Sequence, residues 1–130
     1  MVLPYNLPTC LLVSPEPKIQ EVVIGILSCS GITGVKTIEG EKVVDNLLKY
    51  TPDIVIIDLL PSNDYDPIDT LGTILHHRAE SNLPIGVLGI APNAEHENVQ
   101  LATSAGIDLI MVDPIDEETL IEAMDQLFFS

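Results

Sequence analysis

Asp58 closes the least interrupted apolar run of the chain, DIVIID at 53–58. Two other acids follow apolar runs in a similar way. Glu16 comes just after TCLLVS at 9–14, and Asp113 comes just after DLIMV at 108–112. An acid past the end of an apolar run stands where a buried strand would reach solvent. If the run ends gather along one edge, Glu16, Asp58 and Asp113 converge there. Converging carboxylates either hold a hard cation such as magnesium or calcium, or raise one another's pKa. Asp64 or Asp66, just downstream of Asp58, can join the group.

No other residue set offers comparable chemistry. His76 and His77 are adjacent, so on a helix they point in different directions. A helical metal pair needs i, i+4 spacing. His96 is read as exposed, near the start of a helix. Ser28, Ser30 and Ser104 have no base partner in the sequence. Gly31, Gly34 and Gly40 do not form the GxGxxG phosphate loop. Cys10 and Cys29 belong to no CxxC and read as two buried free thiols. Without a base–nucleophile pair the chain does not read as an enzyme.

The charge balance excludes whole classes of partner. Twenty acidic residues face 5 basic ones, for a net charge of −15. Nucleic-acid backbones and anionic membranes require a basic footprint, which this chain lacks. The acidity serves solubility or a basic protein partner. Hydrophobic residues at 46% and charged ones at 19% specify a folded core, and 130 residues suit one domain. No apolar run is long enough for a membrane span. Residues 1–8 contain two prolines and no basic residue, unlike a signal peptide, so a cytoplasmic location is expected. They read as an N-terminal extension to a domain over 9–130.

Apolar runs alternate with helical periods. Strands are expected at 9–14, 33–38, 53–58, 84–90 and 108–112. Helices are expected over 16–29, 41–50, 67–80 and 94–104, and after Pro114. Val43, Val44, Leu47 and Leu48 form the inward face of the second helix. The β-branched run at 53–58 suits a strand covered on both faces. Gly86 and Gly89, inside the fourth strand, point to close backbone approach or a bulge. Five strands alternating with five helices predict a doubly wound α/β domain. Its parallel sheet is expected in the flavodoxin-like order 2-1-3-4-5, with the site at the C-terminal edge of the strands.

In that arrangement the chain resembles the CheY-like receiver domain of two-component response regulators. PDIVIIDL at 52–59 looks like the strand that ends in the phosphoacceptor aspartate, here Asp58. AGID at 105–108 looks like the turn before the fifth strand, and Asp113–Pro114 falls where the family has Lys-Pro. The resemblance implies a cis bond at Asp113–Pro114. It also implies four parts at the strand edge: an acidic pair holding magnesium, the acceptor, a hydroxyl after the fourth strand, and the lysine. Only the acceptor survives. Ser14 and Pro15 replace the acidic pair, with Glu16 next. The hydroxyl position is Gly89 or Ala91 by two ways of counting, and neither has a hydroxyl. Asp113 replaces the lysine, and Ile110 replaces the switch aromatic.

A unit charge about 5 Å from another is worth about 3 kcal/mol at an effective dielectric of 20. Reversing the lysine to Asp113 turns an attraction for a phosphoryl group into a repulsion of that order. The resemblance therefore implies a degenerate, or pseudo-receiver, signalling module that acts through protein contact. The alternative is an atypical receiver still phosphorylated on Asp58 with a divalent cation recruited by Glu16. The family's interaction face, transferred here, comprises Glu95, Glu97, Ile110, Asp116, Glu117 and Asp125. With no Lys or Arg from 79 to 130, that face suits a basic partner or a histidine-kinase-associated domain. A second copy could use it only with the like charges kept at the rim.

Overall fold

The computed structural model describes residues 8–37 and 42–129. The expected N-terminal extension, apart from Pro8, lies outside them. So do the last residue of the expected second strand and the first of the expected second helix.

The described chain alternates strand and helix throughout. The elements are β1 (Thr9–Val13), α1 (Pro17–Cys29), β2 (Thr33–Thr37), α2 (Val43–Tyr50), β3 (Ile54–Asp58), α3 (Pro67–Ser81), β4 (Gly86–Ala91), α4 (Glu97–Ala105), β5 (Leu109–Val112) and α5 (Glu117–Phe129). The strands form one parallel sheet in the order β2-β1-β3-β4-β5. Consecutive side chains of a strand point to opposite faces. Leu11, Val13, Val55 and Ile57 therefore join α2, α3 and α4 in one core layer. Cys10, Leu12, Ile54 and Ile56 join α1 and α5 in the other. All five residues of β3 are buried, because both of its faces are covered.

Local chemistry sets the element ends. Proline stands in the first turn of both α1 and α3, where its missing N–H costs nothing. The Asp66 side chain accepts from Ile68 N and Asp69 N at the start of α3. Gly106, at φ 104°, ends α4 in the left-handed region that glycine tolerates. Gly89 marks a close approach: a Cβ there would lie 2.8 Å from Ile107 Cδ1 and 2.9 Å from Leu59 Cδ1. The Asp113–Pro114 bond is cis.

Three expectations need correction. Leu48 is 63% exposed. It lies five positions beyond Val43, about 140° around the helix at 3.6 residues per turn, so only Val43 and Leu47 are buried. Cys29 is exposed while Cys10 is buried, because Cys29 ends α1 two positions past the inward Leu27. The fourth helix begins at Glu97 rather than 94, since Asn93 to His96 form a turn that His96 closes as cap.

Candidate site at the strand edge

Asp58 ends β3 and is 3% exposed. Its neighbour in the sheet, β1, ends at Val13, and the next residue, Ser14, is fully buried. Ser14 Oγ donates to Asp58 Oδ2 at 2.7 Å. The backbone N–H of Leu60 donates to Asp58 Oδ1 at 2.9 Å. Both carboxylate oxygens are thus engaged by the protein. Ser14 is itself held: its Oγ accepts from Glu16 N at 3.1 Å, and its carbonyl accepts from Gln20 Nε2 at 2.7 Å.

The loop after β3 is fastened from two further sides. The buried Tyr65 hydroxyl donates to the Asp58 carbonyl, with the Val13 carbonyl 3.5 Å away. Asn98, buried at the start of α4, donates its side-chain N–H to the Leu59 carbonyl at 2.8 Å. Neither Tyr65 nor Asn98 was singled out from the sequence. Tyr65 was hidden in a polar turn, SNDY. Asn98 carried a usable signal, because it lies four positions before the inward Ala102 on α4.

Burial dominates the electrostatics of Asp58. Desolvation by burial raises the Asp58 pKa, and the charges of Glu16 and Asp113 raise it further. The hydrogen bonds from Leu60 and Ser14 oppose that rise and are outweighed. A cleft of about 40 Å³ opens beside the carboxyl, lined by Ile19, Asp58, Leu60, Ile90, Ala91, Pro92 and Asp113. Ala91, not Gly89, faces this cleft. Gly89 is buried beneath Leu59 and Ile107.

The charges of Glu16 and Asp113 act on Asp58, and no group of three His, Cys, Asp or Glu side chains among the described residues is arranged to hold a metal. The geometry explains this: the Glu16 carboxylate turns back to accept from Lys18 N at 3.3 Å, and Asp58 is occupied by Ser14. Pro15 is half-buried and Asp113 exposed.

Glu95 and Glu97 are exposed, and Ile110 is half-buried. Beside them, on α4 and β5, Leu101 and Val112 are 49% and 43% exposed. Asp116 accepts from Thr119 N at 2.7 Å, and that bond holds its carboxyl below the usual range. Glu117 and Asp125 instead line an open groove of about 680 Å³ with Ser30, Glu118, Ile121 and Glu122. Among the described residues no helix is long and apolar enough to cross a membrane.

No family model and no curated protein matches the chain. Solved structures do. The signal receiver domain of a modulated diguanylate cyclase from Desulfovibrio desulfuricans G20 superposes with a TM-score of 0.79 at 18% identity, covering 95% of each chain. The chemotaxis response regulator CheY4 of Vibrio cholerae gives 0.79 at 16% identity, over 94% of this chain and 99% of its own. NtrX from Brucella abortus gives 0.83 at 20% identity; this chain spans 95% of itself but 27% of NtrX. These likenesses define the fold as that of the CheY-like receiver domains of response regulators.

Proposed function

We propose that the chain is a signal-transduction module of receiver fold that works by protein contact, without an enzymatic activity and without aspartyl phosphorylation. One observation carries this reading: the Ser14 hydroxyl occupies Asp58 Oδ2 at 2.7 Å, where the resemblance calls for magnesium between acids. Phosphoryl transfer depends on positioning and on neutralising developing charge. Here the rim offers Ala91 in place of a hydroxyl and Asp113 in place of a lysine. An acceptor oxygen would have to leave Ser14 and meet an incoming anion beside two carboxylates.

The contact surface in this reading is built on α4 and β5, where exposed Leu101 and Val112 stand beside Glu95 and Glu97. Apolar centres with an acidic rim suit a basic protein partner. A cytoplasmic signalling role fits the same reading. Incubation with acetyl phosphate and magnesium tests it by intact mass. The expected result is no 80 Da adduct (about the mass of one phosphoryl group). An adduct that disappears in Asp58→Ala would establish the alternative, a working atypical acceptor.

A further inference from the structure

We infer that His96 is a proton-operated cap: neutral, it fixes the first turn of α4 through Asn98, and protonated, it releases that turn. His96 stands immediately before α4 with extended backbone, φ −61° and ψ 137°. Its Nδ1 accepts from the backbone N–H of Asn98 at 3.1 Å. This is the place usually taken by Ser, Thr, Asp or Asn, whose oxygens do not gain a proton near neutral pH. An imidazole can accept at Nδ1 only while neutral, with its proton on Nε2. Histidine is the side chain whose charge ordinarily changes between about pH 5 and 8.

Protonation acts on α4 in two ways. It turns Nδ1 from acceptor to donor, so that two N–H groups face each other. It also puts a positive charge at the helix end where the backbone dipole is already positive. Asn98 is the residue released, and its side chain is the tether to the Leu59 carbonyl. One protonation thus loosens α4 from the loop that follows Asp58.

The surrounding charges are defined. Glu95 and Glu97 flank His96 on its own segment. α3, which packs on α4, carries Asp69, His76, His77, Arg78 and Glu80, and β4 carries no titratable group. Asp58 lies one residue from Leu59. His76 is exposed and paired with Glu80 at 3.0 Å. His77 Nε2 is buried with no hydrogen-bond partner. Either could produce a pH response of its own, so the test separates them from His96.

The test is amide hydrogen exchange of the whole chain by NMR between pH 8 and pH 5, corrected for intrinsic exchange. Protection at Asn98 is expected to fall about fivefold as the His96 ring titrates, the usual worth of a cap. His96→Asn should stay protected at both ends, and His96→Ala should be unprotected at both. The inference is overturned if the ring stays neutral to pH 5, if wild-type protection does not change while the ring titrates, or if His96→Asn shows the same fall.

Discussion

The Ser14 hydroxyl and the Asp58 carboxylate, 44 residues apart, meet at 2.7 Å and join the ends of β1 and β3 through one buried hydrogen bond. Ser14 is fully buried and Asp58 nearly so. Burial limits competition from solvent for this contact, and removing either partner takes from the other a buried hydrogen bond.

Ser14→Ala should therefore destabilise the chain by about 1–3 kcal/mol at neutral pH, the cost of an unsatisfied buried polar group. Urea unfolding followed by circular dichroism measures it. A change below a few tenths of a kcal/mol would show that Asp58 finds another donor. Ser14→Asp should be worse, because a second carboxylate meets the first. Magnesium should recover part of that loss in the variant.

Asp58 gives the pH dependence a definite sign. Its folded-state pKa is raised, chiefly by burial. Its contribution to stability is then full below the unfolded value, near 3.9 for an aspartate, and is lost as pH rises through the folded value. The ionised group opposes folding at pH 7. Asp58→Asn should accordingly be more stable than wild type at pH 7, with the gap closing towards pH 3.5. Asn keeps the geometry: its carbonyl can accept from Leu60 N, and its amide can donate to Ser14 Oγ. Paired denaturation curves at the two pH values, compared as differences, cancel the general effect of net charge −15.

The two cysteines should separate cleanly by reactivity. Cys29 is exposed, whereas Cys10 is buried and burial pushes its thiol up to about 12. A chromogenic disulfide reagent should label one thiol quickly in the native chain and the second only on unfolding. Cys29→Ser should abolish the fast phase. Two fast thiols would contradict the burial of β1.

Much of the fold was legible because the signals were periodic. The run at 53–58 has no polar residue between its terminal aspartates, as a strand covered on both faces requires. Proline in the first turn of α1 and α3 and Gly106 at the end of α4 follow backbone chemistry that holds in any context. Leu48 and Cys29 were misjudged because apolar type alone does not say which way a residue faces at the end of a short helix. Asp58 could be placed at the strand edge by its position. Its Ser14 partner was read only as a missing acid. A substitution shows what a site has lost; the hydrogen bond that replaces it forms between strands far apart in sequence. His96 was placed at a helix start, but its role as cap depends on the imidazole turning back to Asn98, which no spacing rule encodes.

The central claim is that this rim has exchanged a phosphoryl-accepting site for an internally satisfied one. Adding beryllofluoride with magnesium, and following the backbone amides of Asp58, Leu60, Ala91 and Asp113 by NMR, tests it most directly. The account predicts no saturable shift at any of the four beyond that caused by magnesium alone. Saturable shifts at Asp58 and Leu60 that vanish in Asp58→Asn would contradict it.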